Sequence, residues 1–280
     1  MKQQLKRVVK PLYFSAKQRF VNAVYSYGPE KLEEALAGLG LKEADTVLVH
    51  SGFSRFNGFT GTPEDVIAVL RSIVGNDGNL LMMSMPYGGS SQRYADSGKI
   101  FDVKKTPSSL GIISETFRRR DGVVRSANPL HPILAEGPMA KWLLSDHETL
   151  RYSCGRRSPF ARFKNLNGKF LFFDAVFRSL TFVHFVEDYY KDKLPVPLYG
   201  ADPVQLSIRM PNGSMSSSSQ YLFSAQARER RNFGNIENTM IASERLIRDK
   251  IGNTSLLYTT AKDVVATADE LILNNAGFYT

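Results

Sequence analysis

The sequence predicts an α/β fold: a single domain with a central mixed, partly parallel sheet flanked by helices and a C-terminal antiparallel hairpin. Three observations carry this. "DTVLVHS" (45–51) and "NLLMMSMPY" (79–87) are short apolar runs of the kind that fully buried strands present. Between them "GTPEDVIAVLRSIVG" reads as a well-signalled helix, so the three form a strand–helix–strand unit with a parallel pair and a right-handed crossover. In the last third, "VQLSIRM" and "MSSSSQYLFSA" alternate on either side of Asn212-Gly213, the strongest short hairpin signal.

Taken in order, residues 1–28 form a basic segment with apolar residues at Leu5, Val8, Val9, Leu12, Phe20, Val21 and Val24. It is read as a helical arm preceding a domain over 29–280, with Pro11 expected to interrupt any continuous helix. The arm suits either a helix lying on the body or peripheral contact with an anionic membrane or a partner. "GPEKLEEALAGLG" (28–40) opens a helix with Pro29 near its first turn and Gly40 as its stop. In the helix over 61–75, Thr62 is the N-cap, Pro63 sits at N1, acids fill the first turn and Gly75 ends it. A third helix is expected over "TPSSLGIISETFRRR" (106–120), capped by Thr106 with Pro107 at N1. "GPMAKWLLSDHE" (137–148) reads as helical and "KFLFFDA" (169–175) as a strand. After the hairpin come a helix, the short strand "SLLYTT" (255–260) and a last helix over 262–275.

The 280 residues suffice for one large domain, and 42% hydrophobic with 22% charged residues is a globular composition. No run approaches the roughly 18 apolar residues that span a bilayer. The basic N-terminus lacks the apolar core and small-residue cleavage site of a secretory signal. The single cysteine, Cys154, excludes an internal disulfide and fits a reducing cytoplasm, where the protein is expected to reside. No histidine stands beside Cys154 in sequence to activate it, so it reads as a structural thiol. A net charge of +9 favours anionic partners: nucleic acid, an anionic membrane surface or phosphate-bearing small molecules. It disfavours a polycationic substrate unless acids concentrate locally. No helix-turn-helix, zinc module or interleaved aromatic–basic pattern is visible, so nucleic acid is not the expected partner.

The four histidines, His50, His131, His147 and His184, show no metal-ligand spacing, and no metal is expected. Signatures of serine hydrolases, P-loop NTPases and dinucleotide-binding proteins are missing. Two loops and one short helix remain. "VHSGFSRFNGFTG" (49–61) follows a buried strand, the place where open α/β sheets bind ligands. "KKTPSSLG" (104–111) offers two lysines and then hydroxyl residues ahead of a helix, a setting that favours an anion. In "TFVHFVED" (181–188), His184 and Glu187 are i and i+3, so imidazole and carboxylate share a helix face. A carboxylate that accepts from one ring nitrogen fixes the tautomer and leaves the other free as a base. An ordinary ionic turn gives the same spacing.

The order of these motifs is more specific than any one of them. "VLVHSGFSRF", "DGNLLMMSMPY", "FDVKKTPSSLG", "ETFRRRDGVVRSANP", "CGRRSPF" and "TFVHFVED" together resemble the aminoglycoside 3-N-acetyltransferase family over about residues 30–200. The resemblance implies a mixed α/β enzyme that uses an acyl-CoA co-substrate and no metal. It assigns the general base to His184, oriented by Glu187, with Thr181 either donating to the oxyanion or holding the histidine. It places Ser51, Ser54, Thr106, Ser108 and Ser109 against CoA, and Arg118 to Arg120 with Lys104 and Lys105 become candidates for its phosphates. Where the family usually reads R-S-x-H-P-x-x-S, this sequence has Asn128 in place of the histidine and Pro132 in place of the serine, with His131 three positions beyond. The stretch with Asn128 and His131 is read as facing the acceptor or the acyl-donor end, and Asp102, Glu187 and Asp188 as residues that could build part of a locally acidic cleft for the acceptor.

On charge, the expected acceptor is an amino sugar carried on a nucleotide, as in surface polysaccharide or lipopolysaccharide biosynthesis. The alternative is an aminoglycoside, as in antibiotic resistance. A catalytically dead relative, or a non-catalytic CoA- or nucleic-acid-binding protein, would be a third outcome.

Overall fold

The computed structural model describes residues 2–273, 277 and 279. At its centre β1 (Thr46–Ser51) pairs in parallel with both β2 (Asn79–Met83) and β6 (Lys169–Phe173). Antiparallel strands extend both sides. β5 (Ile133–Glu136) joins β2 and carries β4 (Val124–Arg125), while β10 (Thr254–Thr260) joins β6 and carries β9 (Ile247–Ile251). The order β4-β5-β2-β1-β6-β10-β9 is the expected mixed sheet. The Asn212-Gly213 turn joins β7 (Val204–Arg209) to β8 (Met215–Gln220), and β3 (Phe101–Asp102) completes this separate three-stranded sheet.

Both faces of the large sheet are covered, which is why its central strands read as unbroken apolar runs. Val47, Val49, Leu80, Met82, Leu171 and Phe173 face one layer, built from α2 (Pro29–Gly38), α3 (Pro63–Val74) and α5 (Ile112–Arg118). Leu48, Leu81, Met83, Phe170 and Phe172 face the other. That second layer contains α6 (Ala140–Leu144), α7 (Pro159–Asn165), α8 (Val183–Tyr189), α9 (Ala225–Arg230), α10 (Phe233–Ala242) and α11 (Ala261–Leu273). α4 (Ser91–Asp96) packs near β7. The signals over 61–75 hold in detail: Thr62 and Asp65 form a reciprocal capping box around Pro63.

Two expectations need correction. α1 (Lys2–Val24) runs unbroken through Pro11. The proline removes one backbone donor, and the flanking rungs carry the helix past it. Its second half lies on the body, with Phe14 stacked on Phe56 and Val21 buried. The helix expected from Thr106 begins only at Ile112. Thr106 instead closes a turn, its Oγ1 accepting from the Asp102 amide at 2.8 Å and its own amide donating to the Asp102 carbonyl at 2.9 Å. Gly111, at φ +103°, then turns the chain into the helix.

One glycine sets the distance between the loops that leave β1 and β6. The Gly52 amide donates to the Phe173 carbonyl at 2.8 Å, and a Cβ at position 52 would lie 2.3 Å from the Asp174 carbonyl oxygen. Gly52→Ala must push these loops apart, an overpacking penalty of about 1–3 kcal/mol. Urea unfolding should show that loss with an unchanged m value.

Candidate active site

A cleft of about 690 Å³ opens at the carboxyl ends of the three parallel strands. His50 and Ser51 at the end of β1, Met83 at the end of β2 with Met85 beyond it, and residues between Ala175 and Thr181 after β6 form its walls, together with Leu110 and Ser114. The chain passes from β1 to β2 on one side and later adds β6 on the other, so the cleft sits where the strand order reverses. Open α/β sheets bind ligands at this point.

α8 begins directly after the Thr181 wall, and the His184 amide donates to the Thr181 carbonyl at 3.0 Å. The i,i+3 spacing brings His184 Nδ1 to 2.7 Å from Glu187 Oε2. Glu187 is 0% exposed, so every charge on it must be answered within the protein. Its other oxygen accepts from Arg231 Nε at 2.6 Å and from the Tyr279 hydroxyl at 2.6 Å. Burial pushes the carboxyl up, but the His184 hydrogen bond and the Arg231 charge outweigh it and hold Glu187 below its ordinary value. Burial in turn lowers His184, against the pull of Glu187. The resulting state is an ionised carboxylate beside a neutral imidazole. Nδ1 then carries the proton donated to Glu187, and Nε2 holds a free lone pair. His184 keeps 18% of its side chain exposed, its ring 4.6 Å from that of Phe223 and 5.9 Å from that of His131.

His131 belongs to a second buried network. Its Nδ1 lies 2.7 Å from Ser153 Oγ, while His147 Nε2 donates to the Ser153 carbonyl at 2.8 Å and His147 Nδ1 meets Ser126 Oγ at 2.9 Å. Asn128, read as an acceptor-side residue, is turned inward instead. It is 0% exposed; its Oδ1 accepts from the Leu130 and His131 amides and its Nδ2 donates to the His147 carbonyl. The asparagine is a turn cap that presents His131 to His184.

The carboxylates that could build part of a locally acidic cleft, Asp102, Glu187 and Asp188, are each bound within the protein. Asp188 is 3% exposed and accepts from the Tyr199 hydroxyl at 2.9 Å. Asp102 holds its own turn, accepting from the Lys104 and Lys105 amides.

Of the residues read as CoA contacts, Ser51 lines the cleft directly. Ser108 reaches its wall at one remove, through a 2.9 Å contact with Ser114, which itself donates to the Met83 carbonyl. Ser109 is exposed, and its amide donates to the Met85 carbonyl at 2.8 Å. Ser54 lies outside the cleft lining on an exposed loop, where its hydroxyl accepts from the Phe56 amide. The arginine row is committed to acids. Arg118 grips both oxygens of Glu115 at 2.8 and 2.7 Å and also reaches the Lys104 carbonyl; Arg119 joins Glu115, and Arg120 pairs with Glu64. The Arg118 hydrogen bonds lower Glu115 to about 2.

Sequence reasoning missed Arg231 and Tyr279, which lie 44 and 92 positions from Glu187 with no local signal. It also passed over Ser114 and the role of His50, whose ring stacks on Phe172 at 5.0 Å inside the cleft with its Nε2 buried and without a hydrogen-bond partner. Among the described residues, no three His, Cys, Asp or Glu side chains group so as to hold a metal ion. No helix among them is long and apolar enough to cross a membrane.

The model of the aminoglycoside 3-N-acetyltransferase family matches residues 48–272. An aminoglycoside N(3)-acetyltransferase III from Salmonella sp. is 32% identical over 168 residues, 56% of this chain and 58% of that protein. An aminoglycoside N(3)-acetyltransferase VII from Streptomyces paromomycinus is 32% identical over 170 residues, 56% of this chain and 59% of that protein. The matched stretch thus spans under two thirds of these relatives. Solved structures are similar over more of the chain. The apoenzyme of aminoglycoside acetyltransferase AAC(3)-IVa shares 26% identity and a TM-score of 0.74, covering 91% of this chain and 92% of that one. AAC-IIIb in a binary complex with CoASH shares 23% identity and a TM-score of 0.73, covering 91% and 99%.

All four histidines are held neutral by burial: His50 lowered to about 3, His147 to about 4, and His131 and His184 below the ordinary value. In the unfolded chain they take up protons near pH 6.5, so below that pH the unfolded state binds more protons and stability falls as pH falls. The expected slope is about 1.4 kcal/mol per pH unit for each histidine held far below its ordinary value, His50, His131 and His147, setting in below about pH 6.5. Urea titrations between pH 5 and 7.5 should show it, and His50→Phe should lower the slope by one histidine's share.

Proposed function

The chain belongs to the aminoglycoside 3-N-acetyltransferase family, and on that premise we propose that it is a CoA-dependent N-acetyltransferase whose acceptor is an amine of an aminoglycoside. The observation that carries this is the His184–Glu187 pair, braced by Arg231 and Tyr279 and placed one helical turn beyond the wall of an open cleft. An acyl-CoA in that cleft presents its thioester, and the acceptor amine attacks the carbonyl carbon. His184 Nε2 takes the proton that the amine loses as the C–N bond forms. Glu187 stabilises the imidazolium. The tetrahedral intermediate then expels the CoA thiolate by breaking the C–S bond, and the thiolate takes the proton back from His184. Thr181 lines the cleft, and its proposed part is to donate to the oxyanion or to hold the loop that carries His184.

A second reading rests on charge. The carboxylates nearest His184 in sequence, Glu187 and Asp188, are bound to Arg231, Tyr279 and Tyr199, so neither is offered to a polycation, and the chain carries +9. This favours an acceptor that is anionic overall, an amino sugar carried on a nucleotide diphosphate. The named relatives favour the aminoglycoside.

A thiol-release assay decides between them. Acetyl-CoA and longer acyl-CoAs are offered with an aminoglycoside mixture and, separately, with nucleotide-linked amino sugars. Turnover with aminoglycosides is expected, and His184→Ala should lower kcat by about 10²–10⁴. Turnover with nucleotide-linked sugars alone would move the assignment to the second reading. Silence with both, in a protein that binds CoA, would overturn the proposal. Because burial lowers His184, the acidic limb of the kcat/KM profile is expected below the ordinary imidazole value.

A further inference from the structure

A second cleft, of about 390 Å³, shares no lining residue with the first. Four cations line it, Lys104, Arg118, Arg125 and Lys141, and no acid does. Arg118 is neutralised by Glu115, but the other three are not. Lys104 and Lys141 are exposed, and neither forms an ion pair among the described residues. Arg125 is the unusual one. Its two terminal nitrogens donate only to backbone carbonyls, those of Val103 and Thr106 on one side and Ser84 on the other, and its Nε is buried without a partner. The guanidinium sits 4.6 Å above the Phe101 ring. Burial, with the nearby Arg118 charge, draws Arg125 down to about 9, which leaves it cationic at neutral pH. The nearest carboxylates are committed elsewhere, Glu115 to Arg118 and Arg119, and Asp102 to its own turn. A half-buried guanidinium without a counter-ion, with two free ammonium groups at the same cleft, is an incomplete electrostatic arrangement that an anion completes.

We propose that this cleft is a phosphate site, in which a phosphate monoester or diphosphate group seats between Lys104 and Lys141 with the charge of Arg125 behind it. Val123, Val124, Leu134 and Leu144 give the apolar wall for the organic part of the ligand. The source of the phosphate rests on the proposed function: the phosphates of CoA, or the diphosphate of a nucleotide-linked acceptor.

The probe is inorganic pyrophosphate, titrated calorimetrically into the full chain. Wild type should bind it, and Lys104→Ala/Lys141→Ala should bind it about tenfold more weakly or worse. A control, Lys42→Ala/Lys262→Ala, makes the same change in net charge outside the cleft and should leave binding unchanged. Equal weakening in both doubles, or no binding by wild type, overturns the proposal. CoA and 3′-dephospho-CoA identify the source. If the cleft double weakens CoA but not dephospho-CoA, the 3′-phosphate occupies the site. If it weakens neither while pyrophosphate binding is lost, the site serves a separate phosphorylated ligand. Pyrophosphate binding as expected, in a protein that transfers no acyl group, would leave the site standing and remove the function.

Discussion

The site depends on keeping one carboxylate ionised out of contact with water. Burying a charge without partners is prohibitive, and Glu187 is tolerated because three donors converge on its two oxygens. Arg231 is the donor that matters electrostatically, since a guanidinium does not lose its proton in a protein and so fixes the carboxylate as an anion whatever His184 does. Tyr279 adds a neutral hydrogen bond to the same oxygen. The remaining oxygen is left for His184 alone, which determines its tautomer. Arg231 and Tyr279 are themselves joined by an isolated backbone bridge, and the Arg231 guanidinium lies over the Phe223 and Phe233 rings. Helix α8 is therefore tied to the segment between α9 and α10 and to the last described residue.

The sheet supplies the other half of the geometry. Three parallel strands end together and their loops enclose the cleft, while the aromatic residues beneath leave little freedom for α8 to shift. Phe170 packs against Phe163 and Phe182, and Phe182, immediately ahead of α8, also contacts Phe160 and Phe185. Close packing of this kind transmits the position of β6 to the start of the helix. Gly52 plays the complementary part on the strand side, where only the lack of a side chain lets the loop after β1 approach Asp174.

How much of this could be read from sequence follows from how local each cause is. The β1–α3–β2 unit was legible because its signals lie within a few residues of what they specify: Thr62 with Asp65, Pro63, and two apolar runs. The hairpin was legible from Asn212-Gly213, and the His184–Glu187 pair from a three-residue spacing. What escaped was non-local or competitive. Nothing near Glu187 announces Arg231 or Tyr279. The strand β9, "IRDKI", is an exposed edge with no apolar pattern to mark it. Thr106-Pro107 looks like a helix start, but Asp102 offers Thr106 a closer partner and wins. Asn128 was read as a contact because it departs from a family pattern, whereas its surroundings use it to cap a turn.

The same array explains a trade in basicity. An imidazole beside a lone carboxylate would be raised above its ordinary value and would spend much of its time protonated near neutral pH, unable to accept from an amine. Here the carboxylate is already matched by Arg231, so Glu187 orients His184 while contributing less net negative charge to it. Burial then favours the neutral ring. In the role of base proposed for it, His184 is weaker for this, since proton-transfer driving force falls with its pKa. In exchange more of the molecules carry the neutral ring near neutral pH, with Nε2 as the free nitrogen. An acceptor amine that arrives as its ammonium must still lose one proton before it can attack. The balance therefore suits a site whose surroundings favour the neutral amine, and the aromatic rings of Phe223 and Phe233 around His184, with the Arg231 guanidinium behind, are surroundings of that kind.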